Sequence, residues 1–420
     1  MRPDMTPRTP SRRSLLALSL SAAGLAACGR AASGGAAGAS ATSAPPVSPT
    51  AAPPASATSL AAPTGEPSAT ATASPTTTAA PSLEGWSLEQ KVGQLLMVGT
   101  EATAASGTVV SAITELHVGG VFLSGRSEAG VAATRAVVDS LTALVGPQPT
   151  RTPLLVATDQ EGGAVQVLRG PGFSQLPEAT AQGEQGAGLQ ESALGWAQEL
   201  AAAGVNMNLA PVADLVDLAD PGVNAPIGAF GREYGHSLET VRQGVEAFAA
   251  GMEQAGVVPT LKHFPGLGRV AQNTDVSAGV TDSVTGPEDP AVALFAELAK
   301  AGSRRTVMMS SAYYTLLDAT QPAVFSARVV TELLRGRLGF NGVVITDDLS
   351  AAAQLAAWSP GARAVAAVRA GCDIVLASGA PWQASEMAAA LLAEAQADAG
   401  FAAQVDAAAA RVLALKSHLP

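Results

Sequence analysis

The chain is poor in the residues that carry most metal and thiol chemistry. Its 420 residues include two cysteines and four histidines. The histidines, at positions 117, 236, 263 and 418, are far apart, and no His-Glu-x-x-His pattern occurs. Nothing in that spacing supports a metal site. Cys372 sits in the apolar run CDIVLAS and reads as a small buried hydrophobe. Basic residues are scarce as well: 24 Lys and Arg stand against 35 Asp and Glu, a net charge of −11. That balance argues against nucleic acid or an anionic lipid surface as partner. No G-x-S-x-G elbow or P-loop is present. The stretch Gly266-Leu267-Gly268-Arg269-Val270-Ala271 fits G-x-G-x-x-A, but QNTDVSAG follows it. That is loop composition, whereas a dinucleotide site needs a helix to open there. No cofactor is expected.

Long apolar runs are confined to the beginning of the chain. Arg12 and Arg13 precede an uncharged, Leu- and Ala-rich stretch, Leu15 to Ala27. It is too short to span a bilayer and reads as an export signal over 1–27 with a twin-arginine character. Leu25-Ala26-Ala27-Cys28 resembles a bacterial lipobox, which makes Cys28 the expected site of lipidation. With Cys28 acylated, no disulfide can form. Residues 28–82 are Ala, Ser, Thr, Pro and Gly with almost no charge. Such composition cannot offset its ordering entropy and reads as a disordered tether, spanning roughly 40 Å as a coil. Without residues 1–27 the chain keeps 20 basic and 34 acidic residues, a charge of −14. The expected location is the outer face of the cytoplasmic membrane or the cell wall, held by the lipid.

The fold is expected over 83–420. Eight short apolar runs recur there: 94–100, 119–125, 153–163, 205–215, 257–266, 306–314, 342–350 and 372–379. They lack strict alternation, as strands buried on both faces do. Helical stretches such as TVRQGVEAFAAGMEQAG and DPAVALFAELAKAG separate them. Gly256, Gly302 and Gly371 follow these stretches at positions suited to helix C-termini. Eight such units predict a (β/α)8 barrel, with a doubly wound open sheet as the rival. Polar residues decide between them, because they cluster at the carboxyl ends of nearly all runs. They are Asp159 and Glu161, Asp214, Lys262 and His263, Ser310 and Ser311, and Asp347 and Asp348. Contributions from many strand ends are the barrel pattern, whereas an open sheet concentrates them at its switch point.

Asp347 and Asp348 close the run VVIT, and successive strand residues point to opposite faces. One is expected in the pocket and the other as a cap. A carboxylate facing Lys262, His263 and Arg232 stays ionised and suits a nucleophile or a charge stabiliser.

On these residues the chain resembles glycoside hydrolase family 3, and within it the single-barrel β-N-acetylhexosaminidases. The resemblance covers roughly 83–420 and rests on an ordered set: WSLEQKVGQLLMVGT, DQEGGAVQVLRGPGFSQLPEA, NLAPVADL, IGAFGREYG, KHFPG and GFNGVVITDDLS. It implies a retaining mechanism with Asp347 as nucleophile. It also implies Asp159, Arg232, Lys262 and His263 as sugar-binding residues, and a terminal β-linked N-acetylglucosamine as in peptidoglycan fragments.

The chain departs from the family pattern where the proton is handled. After Lys-His-Phe-Pro-Gly the family reads His-Gly, then Asp-Ser-His, and that Asp–His pair is the general acid/base. This sequence has Leu267-Gly268 and then Asp275-Val276-Ser277. Ser277 is far too weak an acid for the role. Three readings stay open: Asp275 is itself the acid, Glu161 supplies the proton, or the barrel binds glycans without turning them over. The family's arginines are also missing at Ala164 and Val167, with Arg169 as a possible substitute.

Overall fold

The structure is a computed structural model that describes residues 83–145, 152–302 and 304–419. The expected signal, Cys28 and the tether lie outside the described residues. Eight parallel strands close into a barrel: β1 (Leu96–Glu101), β2 (Gly120–Ser124), β3 (Leu155–Thr158), β4 (Met207–Asn208), β5 (Val258–Phe264), β6 (Thr306–Met309), β7 (Val344–Asp348) and β8 (Ile374–Ala377). Each pairs with its sequence neighbours, and β8 pairs back onto β1, with Leu96 opposite Val375. All eight apolar runs thus contain a barrel strand, and the open-sheet alternative is excluded.

Alternation along the strands builds two cores. Met97, Phe122, Leu155, Met207, Met308, Ile345 and Leu376 fill the barrel interior. Their neighbours Leu96, Val98, Val121, Val156, Val307, Val344 and Val375 face the surrounding helices. Being buried on both faces, the strands show no polar alternation. At the amino-terminal mouth, Val412 and Leu415 from the helix Ala399–Lys416 join the inner core. Buried Lys416 donates there to Gln94 Oε1 at 2.6 Å.

The helices start where their sequences provide caps. Ser237 accepts from Thr240 N at the start of Leu238–Gln254, and Thr240 returns a bond to the Ser237 backbone. Asp289 and Ser359 cap helices whose first residues are Pro290 and Pro360. In Leu238–Gln254 the buried stripe is Val241, Gly244, Val245, Phe248, Ala249 and Met252, the spacing of one helix face. Burial of Phe248 alone is worth about 1.5–3 kcal/mol. A Cβ at Gly251 would lie 2.7 Å from Ala193 Cβ, so this glycine permits the close approach of Leu189–Ala202.

Three local outcomes differ from the sequence expectation. Gly256 and Gly371 have φ of +80° and +114°, but Gly302 is extended, at φ −109° and ψ 148°. A Cβ at Gly302 would sit 2.1 Å from Glu253 Oε1, so close packing explains that residue. Run 205–215 yields only the two residues of β4 as strand. Pro211 lacks a donor, and the chain continues through single bonds such as Ala213 N to Lys262 O. Run 306–314 leaves the barrel after Met309. Tyr313–Tyr314 instead joins Thr281–Asp282 and Asp318–Pro322 in a small separate sheet. Among the described residues, three peptide bonds are cis: Ala210–Pro211, Lys262–His263 and Phe264–Pro265. Among the described residues, no helix is long and apolar enough to cross a membrane.

Candidate active site

An open pocket of about 530 Å³ lies at the carboxyl ends of the strands. Its wall contains all six sugar-site residues expected within the barrel: Asp159, Arg232, Lys262, His263, Asp275 and Asp347. Among the described residues, no group of three or more His, Cys, Asp or Glu side chains is placed to hold a metal.

One wall is an ion-pair clamp. Past Asp159 the chain turns into the hairpin Gln160–Gly162 with Val165–Gln166. Gly162 and Gly163 turn with φ of +111° and +53°, and a Cβ at Gly162 would lie 2.1 Å from Pro177 O. The Gly-Gly pair therefore follows from backbone geometry. The hairpin is tied in place by Gln160, whose side chain pairs with the Leu168 backbone in both directions, and by Gln182 Nε2, which donates to Glu161 O at 2.7 Å. Glu161 is thereby aimed at two cations. Arg232 grips it bidentately, at 2.8 and 2.7 Å, and Lys262 Nζ lies 2.6 Å away. Lys262 also donates to Asp159 Oδ1 at 2.8 Å. Burial opposes the charge on Glu161, yet Arg232 and Lys262 outweigh it and hold the carboxyl down to about 2. Burial likewise opposes the charge on Lys262, and Asp159 and Glu161 raise its pKa above the ordinary value.

Asp214, fully buried, sets His263. It accepts from the His263 ring at Nδ1 (2.7 Å) and from the His263 and Leu267 backbone N–H groups. With Nδ1–H directed to a carboxylate, Nε2 is the ring position left for a ligand.

The opposite wall carries Asp347 and Asp275. Both residues of the strand-end Asp pair border the pocket, and they differ in how their carboxylates are bonded. Asp348 accepts from Ser350 N, Ser350 Oγ and Ala351 N in its own loop and from Ser378 N just past β8, so its carboxylate is committed to joining these two loops. Asp347 has one such bond, from Asp348 N, and faces the pocket. Asp275 sits on the loop after β5, beside Asn273 and Thr274 in the pocket wall. Its side chain is open to the solvent of the pocket. Desolvation by the surrounding wall, and then the negative charge of Asp347, push its pKa up to about 6. Ser277 does not line the pocket.

Two sequence alternatives are thus corrected. Glu161 is paired and ionised, so it has no proton to give. Arg169 binds carbonyls of its own hairpin, Gly163 O and Gln166 O, and does not reach the pocket. A further cation, beside Arg232 and Lys262, does line it: Arg126, from the loop after β2, which donates to Ala164 O at 2.9 Å. Arg126 and the orienting role of Asp214 were missed from sequence. Their only signal was position just past a strand end.

A parallel barrel whose strand ends gather a cation–carboxylate clamp and two further aspartates, Asp275 and Asp347, in one open pocket suits glycoside hydrolysis. The chain belongs to glycosyl hydrolase family 3, whose N-terminal domain matches residues 87–415. It is 37% identical to a β-hexosaminidase of Alkalilimnicola ehrlichii over 67% of this chain and 79% of that protein. Among solved structures it is similar to a β-N-acetylhexosaminidase from Beutenbergia cavernae. Identity there is 56%, covering 79% of this chain and 98% of that one, with a TM-score of 0.77. A family 3 β-N-acetylglucosaminidase from Paenibacillus sp. FPU-7 follows at 34% identity, covering 79% and 62%, with a TM-score of 0.72. The protein is a glycoside hydrolase of the β-N-acetylhexosaminidase type.

Proposed function

We propose that the protein is a retaining exo-β-N-acetylglucosaminidase acting on cell-wall-derived glycans, with Asp347 as nucleophile and Asp275 as general acid/base. The carrying observation is that Asp275 shares the pocket with Asp347 and feels its charge. In the free enzyme desolvation by the wall, and then that charge, raise Asp275 to about 6, so below that pH it starts as an acid. It gives its proton to the leaving-group oxygen while Asp347 attacks the anomeric carbon, and the glycosidic bond breaks as the ester bond forms. Once esterified, Asp347 is neutral. The pKa of Asp275 then falls, and the same carboxylate becomes the base that deprotonates the incoming water. Asp159, Lys262, Arg232 and His263 hold the sugar. Hydroxyl groups suit the acceptors of Asp159 and the donors of Lys262 and Arg232.

The cell-wall substrate and the location rest on sequence. Cys28 is the lipid attachment in this reading, residues 28–82 separate anchor from barrel, and the lipid is the contact with the membrane. The alternative of a glycan-binding barrel without turnover rests on Leu267 and Ser277 standing where the family has histidines. Turnover of aryl β-glycosides (N-acetylglucosaminide, glucoside, xyloside) by the purified protein separates the two readings. Preferred cleavage of the N-acetylglucosaminide is expected, and no turnover of any member would favour binding alone.

A further inference from the structure

The acid/base histidine is missing, so something else must hold Asp275 in place, and the contacts of its loop identify it. The loop after β5 is fixed first at its base. Asn224 Nδ2 donates to Leu267 O and Val270 O, at 3.0 and 2.7 Å, and Arg269 forks onto Asp217 at 2.9 and 2.7 Å. Its far end is joined to the segment that follows Asp347 and Asp348. Ala353 N donates to Asp275 O at 3.1 Å, and Gln354 N donates to Thr274 O at 3.0 Å. The Gln354 side chain then pairs with one residue in both directions. Its Oε1 accepts from Val280 N at 3.0 Å, and its Nε2 donates to Val280 O at 3.1 Å. Gln354, Val280 and Thr274 are all buried, at 4%, 2% and 2% exposure.

These bonds bracket Asp275. Thr274 and Asp275 are held through their carbonyls, Asp275 N is held by Asn273 Oδ1 at 2.8 Å, and the chain beyond is held at Val280. The anchor itself is rigid, because Asp348 fixes the turn at 350–351 between Asp347 and Gln354. One short segment therefore carries the nucleophile at one end and the support of the second carboxylate at the other. Val280 O also accepts from Tyr313 N at 3.0 Å, so losing the Gln354 amide would leave the buried Val280 N–H as the unpaired group, and the stretch between Asp275 and Val280 would shift to pair it.

We propose that Gln354 is the positioning residue for general acid/base catalysis in this protein, setting Asp275 against Asp347 by clamping Val280. The inference rests on the assignment of Asp275 as the acid/base, and its test includes that assignment.

Gln354→Met keeps the length of the side chain and removes both bonds. It should be compared with Asp275→Ala on two substrates, a dinitrophenyl N-acetylglucosaminide and a β-linked N-acetylglucosaminyl disaccharide. Dinitrophenolate leaves without a proton, and the sugar alkoxide does not. Gln354→Met is expected to lose about 10–100-fold in kcat/KM on the disaccharide and less than about threefold on the dinitrophenyl substrate, a weaker copy of Asp275→Ala. Azide should speed turnover of the dinitrophenyl substrate in both variants. It attacks the glycosyl ester without needing a base, forming the C1–N bond as the Asp347 carboxylate departs. The product is a β-glycosyl azide. Equal losses on both substrates without azide rescue in Gln354→Met, while Asp275→Ala shows both signatures, would mean Gln354 is merely structural and overturn the inference. Absence of both signatures in Asp275→Ala would overturn the acid/base assignment and the inference with it. If Gln354→Met does not fold, Gln354→Glu, which keeps the acceptor for Val280 N and loses the donor, is read by the same comparison.

Discussion

The two walls of the pocket use the same residue types for opposite ends. On the clamp wall, Glu161 is wedged between Arg232 and Lys262 and held down to about 2. On the reaction wall, Asp275 is pushed up to about 6 by desolvation and then by the charge of Asp347. Among the described residues, neither Asp275 nor Asp347 forms an ion pair. The clamp wall is fixed by side chains gripping side chains. The reaction wall is fixed mainly through backbone groups, with Asp275 and Asp347 left outside any ion pair. Environment, rather than residue type, sets the two kinds of carboxylate apart, and in the proposed function it divides binding from proton transfer.

The largest effect should come from the reaction wall. Asp347→Asn keeps the size of the side chain and removes the nucleophile, so turnover should fall by at least about 10⁴-fold with folding preserved. Steady-state kinetics beside a circular dichroism spectrum checks both parts, and near-normal turnover would sink the assignment. Asp275 comes next through pH. It must carry a proton to act as acid, and that proton is lost as pH rises through about 6. Disaccharide kcat/KM should therefore fall about tenfold per pH unit above that point, and this limb should vanish in Asp275→Ala.

The clamp should break differently. Glu161→Gln leaves Arg232 and Lys262 short of a counter-charge in a buried site, costing about 3–5 kcal/mol of stability. Sugar binding should weaken with it, so KM should rise more than kcat falls, and denaturant melts measured beside kinetics would show the pairing. The smallest effect is expected for Asp348→Asn, whose carboxylate is taken up by backbone and hydroxyl donors of its own loop and of Ser378. A loss within about tenfold in kcat is consistent with weakened loop hydrogen bonds. A ranking in which Asp348→Asn is the more damaging of the two strand-end variants would mean the roles are reversed.

The contrast between the walls also explains what could be read from the sequence. All eight strands were legible, because burial on both faces writes continuous apolar runs. The clamp was legible because its parts are charged residue types at or near strand ends: Asp159, Lys262 and, in the loop between β4 and β5, Arg232. Their pairing was not, since Arg232 and Glu161 are 71 residues apart and meet only through the fold. For that reason Glu161 remained a candidate acid until its partners were seen. The support of Asp275 was hidden more deeply. It runs through carbonyls and N–H groups of Thr274, Asp275 and Val280, which every residue type possesses. Only Gln354 contributes a side chain, and a glutamine in AAAQLAAW carries no signal by itself.

The central claim is that Asp347 and Asp275 perform the two halves of one retaining reaction. The most direct measurement is mass spectrometry of Asp275→Ala quenched during turnover of a dinitrophenyl N-acetylglucosaminide and digested to peptides. Slow deglycosylation should let the intermediate accumulate as one N-acetylhexosaminyl group on the peptide containing Asp347, and azide should discharge it. Continued turnover with no labelled peptide, or a label on any other carboxylate, would contradict the account.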